Sequence, residues 1–121
     1  MKKFEKILTN NNIVKRISYF KKLKKKIVLC HGVFDLLHIG HLDYFKEAKK
    51  YGDILLVTIT EDKFVNKGIG RPYFNSIERS RFISSLEEVD FVYVNNDKTI
   101  SKLIKKIKPN FYVKGPDYKI L

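Results

Sequence analysis

Apolar positions along the chain follow two rhythms: short unbroken runs, and longer stretches in which they recur every three or four residues. Ile13, Ile17, Phe20 and Leu23 stand at helical intervals among lysines, which predicts an amphipathic helix opened by Asn11 or Asn12. Residues 26–31 (Lys-Ile-Val-Leu-Cys-His) read as a buried strand. Residues 39–51 read as a helix, with Leu42, Phe45 and Ala48 on one stripe and Gly52 as its stop. A second strand is predicted over 53–60, and the glycines and proline of 67–72 then exclude a regular element. Asn75 and Glu78 form a capping-box start for a helix to about residue 88. Residues 91–94 give the third strand, 99–108 a helix stopped by Pro109, and 111–114 the fourth strand.

Apolar strands separated by helices predict an α/β fold, a parallel sheet covered on both faces. Ligands in such sheets sit beyond the carboxyl ends of the strands. Three unusual stretches fall there: 31–41 after the first predicted strand, 67–71 after the second and 114–118 after the fourth.

Charge changes the picture only in part. The 121 residues carry a formal +12, yet residues 1–26 hold ten Lys or Arg against Glu5, leaving fifteen basic and twelve acidic side chains, a net +3, on residues 27–121. The expected organisation is therefore a basic amphipathic segment over 1–26 and a single domain over 27–121. The lysines are expected to solvate a helix that packs on the domain, in preference to a nucleic-acid or membrane arm. Apolar runs fall far below the roughly 20 residues of a membrane span, and the Lys-rich start is not followed by the apolar core of a signal peptide. With Cys30 as the single cysteine, a cytoplasmic location is expected.

The chemistry concentrates in Gly32-Val-Phe-Asp-Leu-Leu-His-Ile-Gly-His41, which joins a strand to a helix start. His38 and His41 are three apart, so both imidazoles lie on one face of the first turn, beside amides without intrahelical partners. That is an anion site with two added donors, and Gly40 removes a side chain where a phosphate chain would approach the backbone. Zinc binding by the pair with Cys30 or His31 is disfavoured, because it lacks a complete tetrahedral set.

The string Gly32-Val-Phe-Asp35 followed by His38-Ile-Gly-His41 resembles the signature of the cytidylyltransferase-like nucleotidyltransferases. The likeness continues through Lys67-Gly-Ile-Gly-Arg-Pro72, Glu78-Arg79, 85–90 and 108–118. The layout is similar to the nucleotidyltransferase half of bacterial ADP-heptose synthases, and more loosely to glycerol-3-phosphate cytidylyltransferase. The resemblance implies a Rossmann-like fold and attack of a sugar or polyol phosphate on the α-phosphorus of ATP or CTP, for surface-polysaccharide precursors. His38 and His41 would hold the triphosphate, and Gly32, Phe34 and Asp35 would shape the nucleotide pocket. Lys67 would ground the triphosphate or the acceptor's phosphate, with Arg71 and Arg79 as further phosphate ligands. Lys114, Gly115 and Asp117 would lie near base and ribose. Mg2+ would arrive bridging the triphosphate, since no carboxylate cluster offers a metal cage. A homodimer is expected by analogy.

Other readings stay open at this point. Asp35 is as well suited to capping a turn as to meeting a ligand, and Arg79 to pairing with Glu78 or Glu87. An incomplete nucleotide-binding domain with a basic arm for RNA or an acidic partner is the alternative function. Class I aminoacyl-tRNA synthetases share the His-Ile-Gly-His string, but need a KMSKS-like loop and a far longer chain. Family members continue past 114–117 into another strand and a Ser/Thr-rich turn, so the sheet is expected to lack the family's last strand and the chain to be a fragment. His31 also departs from the pattern, since heptose-type members often carry Asn there.

Overall fold

The computed structural model describes residues 5–65 and 68–115. Five strands form one parallel sheet in the order β1-β4-β3-β2-β5. In chain order the elements are β1 (Ile7–Leu8), α1 (Ile13–Lys22), β2 (Ile27–Gly32), α2 (Ile39–Lys49), β3 (Ile54–Thr60), α3 (Ser76–Ser84), β4 (Phe91–Asn95), α4 (Ser101–Ile107) and β5 (Phe111–Tyr112), with a 3-10 turn at Asp62–Phe64.

The right-handed crossover rule explains the layering. From β2 the chain steps to β3 and β4 in one direction, and α2 and α3 cover one face. The steps from β1 to β2 and from β4 to β5 run the other way, so α1 and α4 cover the opposite face. Each face has its own core. Val28, Cys30, Phe45, Val57, Ile83 and Val92 pack under α2 and α3, while Leu8, Ile17, Leu29, Leu56, Phe91 and Leu103 pack under α1 and α4. The family expectation of a Rossmann-like sheet is met.

The N-terminal segment is more than a packing helix. Ile7 and Leu8 pair with Val92 and Tyr93 of β4, and the Val92 amide donates to the Lys6 carbonyl at 2.8 Å. The boundary expected at residue 26 therefore cuts through one sheet and one core. The Asn12 side chain, expected as a helix cap, accepts instead from the Thr9 amide at 2.8 Å. α3 ends at Ser84 rather than near residue 88, and β5 is shorter than the expected 111–114.

Candidate functional site

The strand order reverses between β2 and β5, and in open parallel sheets the crevice beyond the carboxyl ends at such a switch point is where ligands bind. β5 pairs with β2 only at Val28 and Leu29, and the Val113 amide adds a bond to the Leu29 carbonyl at 2.9 Å. β2 runs on through Gly32 beside β3. The crevice is thus walled by His31, Gly32 and the loop into α2 on one side, and by Val113, Lys114 and Gly115 on the other. The Tyr44 hydroxyl of α2 donates to the Val113 carbonyl and fixes that second wall.

His38 and His41 meet at the first turn of α2, their ring centroids 4.1 Å apart. His38 is the N-cap: its Nδ1 accepts the Gly40 amide at 3.0 Å, and His41 Nδ1 reaches back to accept the His38 amide at 3.2 Å. The two imidazoles form a reciprocal capping box. The Gly40 amide, expected to lack an intrahelical partner, is thus satisfied from within the helix. A ring nitrogen that accepts an N–H carries no proton, so the geometry assigns the ring proton to Nε2 in both histidines. The ring protons of the pair are thus carried on the two Nε2 atoms.

Gly32 and Phe34 serve these imidazoles. Phe34 is buried at φ 51, with its ring edge-on to His41 at 5.5 Å and to Phe45 at 5.2 Å. A Cβ on Gly32 would lie 2.8 Å from the Phe34 ring, so only glycine fits beneath it. Phe34 is a wall of the core that seats His41.

Asp35 caps a turn, though a distant one. Its carboxylate, with a side chain 1% exposed, accepts Arg71 Nε at 2.7 Å and the amides of Tyr73 and Phe74 at 2.8 and 2.9 Å. Burial pushes its pKa up, but the Phe74 and Tyr73 amides and the Arg71 guanidinium together outweigh it and hold the group below the usual carboxylate value. Arg71, stacked over Tyr73 at 4.5 Å, is thereby drawn to the loop that leads to α2. Gly68 and Gly70, at φ 105 and 79, supply the left-handed turns that bring this segment round.

The expectation that Arg79 binds phosphate is overturned by its surroundings. The residue is 1% exposed. Its guanidinium donates to the carbonyls of Phe74 (2.9 Å), Val33 (2.9 Å) and Thr60 (2.7 Å) and pairs with Asp62 at 2.6 Å. Neither Glu78 nor Glu87 is its partner: Glu78 caps α3 with Asn75. Arg79 instead ties the ends of β2 and β3 to the start of α3. Asp90, in the family-like stretch 85–90, also serves structure. It accepts the Leu55 amide at 2.7 Å and pairs with Lys49, at the amino ends of the strands.

Lys114 and Gly115 follow Val113 just past β5, with the Lys114 ammonium 5.9 Å from the Tyr112 ring centroid. Lys67 and Asp117 lie outside the described residues. Sequence reasoning missed Tyr44, Thr58 and Asp62. Tyr44 sits three residues after His41, the helical spacing that could have marked it.

Comparison with known proteins gives the family. The cytidylyltransferase-like family matches residues 29–120. The chain belongs to that family. It is 43% identical over 114 residues to the bifunctional protein HldE of Aliarcobacter butzleri, covering 93% of this chain and 24% of that protein. The HldE of Sulfurimonas denitrificans is 44% identical over 108 residues, covering 88% and 22%. The chain thus spans about a quarter of the length of these curated relatives. Among solved structures, a lipopolysaccharide core biosynthesis protein from Thermoplasma volcanium GSS1 superposes with TM-score 0.70 at 35% identity, over 80% of each chain. No helix among the described residues is long and apolar enough to cross a membrane.

Proposed function

We propose that this member of the cytidylyltransferase-like family transfers a nucleotidyl group from ATP or CTP to a sugar or polyol phosphate, releasing pyrophosphate. A phosphate oxygen of the acceptor attacks the α-phosphorus, the bond to the β-phosphate breaks, and no covalent enzyme intermediate forms. The observation that carries this reading is the reciprocal cap of His38 and His41, which fixes two imidazole donors at one end of the switch-point crevice. Donors held before the reaction need no reorganisation as charge builds on the phosphate oxygens, and this is the principal lever in such transfers. The nucleoside is assigned to Lys114 and Gly115 and the remaining phosphates to Arg71 and Lys67, and Asp35 holds the segment that carries Arg71.

Mg2+, if bound with the triphosphate, would supply charge neutralisation there. The donor set fits that arrangement: histidines, Arg71 and Lys114 suit phosphate oxygens, and no group of three or more His, Cys, Asp or Glu among the described residues could hold the ion by itself. The lipopolysaccharide core biosynthesis named for the Thermoplasma volcanium neighbour supports a place in surface-polysaccharide precursor synthesis; a cytoplasmic location and a homodimer are proposed with it. The test is pyrophosphate release with ATP or CTP, Mg2+ and a panel of heptose, glycerol, ribitol and hexose phosphates. Release with one pair, lost in His41→Ala, is expected; silence across the whole panel overturns the reading.

A further inference from the structure

His38 and His41 occupy one face of the sheet at the switch point, and the other face carries a third imidazole. Alternation along β2 turns Val28 and Cys30 toward α2 and α3, and Ile27, Leu29 and His31 toward α1 and α4. His31 Nδ1 lies 2.8 Å from Thr58 Oγ1, its register partner on β3. Thr58 is fully buried and donates its own proton to the Cys30 carbonyl at 3.4 Å. With its proton directed to the Cys30 carbonyl, the hydroxyl is placed to accept from the ring, the arrangement in which Nδ1 carries the imidazole proton and Nε2 the lone pair. Burial lowers the pKa of His31, with a hydrogen bond to the Thr58 backbone working against it. Since β5 leaves β2 after Leu29, His31 stands where the crevice opens.

The two ends of the crevice therefore differ in hydrogen-bonding sense. His38 and His41 offer donors, which suit phosphate oxygens, and His31 offers an acceptor, which suits a hydroxyl. Phosphate and hydroxyl a few bonds apart describe both a nucleotide's ribose and a phosphorylated polyol. We propose that His31 is a further ligand-binding residue of this site, accepting at Nε2 a hydrogen bond from a hydroxyl of the bound ligand. The proposal rests on the nucleotidyltransferase reading and adds to it the residue that recognises the uncharged end of a substrate.

The test measures dissociation constants by calorimetry for ATP, CTP, their 2′-deoxy and 3′-deoxy forms, and heptose, glycerol and hexose phosphates, with the full chain and with His31→Phe and Thr58→Val. His31→Phe is expected to weaken one class of ligand about tenfold. If ribose supplies the hydroxyl, the loss appears with ATP or CTP and vanishes with one deoxy form. If the acceptor supplies it, only the phosphorylated polyol or sugar is weakened. Thr58→Val keeps the ring but releases its proton, and gives a smaller loss in the same class. Equal affinities for every ligand overturn the proposal while leaving the nucleotidyltransferase reading intact. Failure of that reading looks different: the unmodified chain binds no nucleotide, and both inferences fall. Long-range 1H–15N spectra test His31 without ligand or substitution, and an Nε2–H tautomer at pH 7 overturns the proposal directly.

Discussion

His38 does two jobs through one ring, and substitution can separate them. Nδ1 caps α2 through the Gly40 amide, whereas Nε2–H is the donor proposed for phosphate. His38→Ala removes both and is expected to abolish pyrophosphate release and lower stability by about 1 kcal/mol, the usual cost of losing a cap. His38→Asn restores an acceptor for the amide, so its urea midpoint should return toward that of the natural protein while release stays absent. Recovery of activity in the Asn variant would move the chemistry to another group. Asp35 offers a second residue-scale test. Its carboxylate satisfies two amides and Arg71, so Asp35→Ala is expected to cost about 3 kcal/mol. Because its folded pKa is depressed, this stabilisation is complete above the ordinary value of 3.8 and is lost as pH falls through the lower folded value. Urea midpoints followed from pH 6 downward should therefore show an acid decline that is blunted in Asp35→Asn.

Among the elements, β1 and α1 decide whether the basic segment is an appendage or a part of the fold. Ile17 is 1% exposed within the core under α1, and Val14, three residues earlier on the same helix, is 44% exposed. Ile17→Ala should cost about 2–4 kcal/mol and Val14→Ala under about 0.5 kcal/mol. Equal, small effects would return α1 to the status of a loosely held arm. β2, β3, β4 and α2 were legible because unbroken apolar runs and a stripe with its stop leave little choice of structure. β1 was not legible, since a two-residue strand among polar neighbours has no period, and its partner lies 85 residues on, in β4. At the end of α3 the Ser84 and Ser85 hydroxyls bond back to the Arg81 and Phe82 carbonyls. The histidine pair was legible from its spacing. The task of Arg79 was hidden, because the carbonyls that claim it come from Val33 and Thr60, 46 and 19 residues away, while Glu78 beside it looked like a partner.

At the scale of the molecule, charge and chemistry occupy opposite ends of the sheet. Lys21 and Lys22 close α1, Lys106 and Lys108 lie at the end of α4, and together they line a groove of about 410 Å³ at the amino ends of β2 and β5. Lys21 is already engaged with the Ile107 and Lys108 carbonyls, where it neutralises the end of α4. The six residues of β2 hold this pole roughly 20 Å from the crevice, more than twice the Debye length of about 8 Å at physiological salt. The charge of these four lysines is therefore screened from any triphosphate at the switch point, and the local donors His38, His41, Arg71 and Lys114 must hold it. Replacing Lys22, Lys106 and Lys108 together by Gln should leave pyrophosphate release within about twofold, whereas Lys114→Gln alone should lower it about tenfold or more. The same triple variant tests the alternative of a basic arm for RNA. If filter binding shows salt-sensitive RNA capture by the natural chain that the triple variant loses, the far pole is a second working surface; if both proteins bind RNA equally weakly, its lysines only solvate the fold.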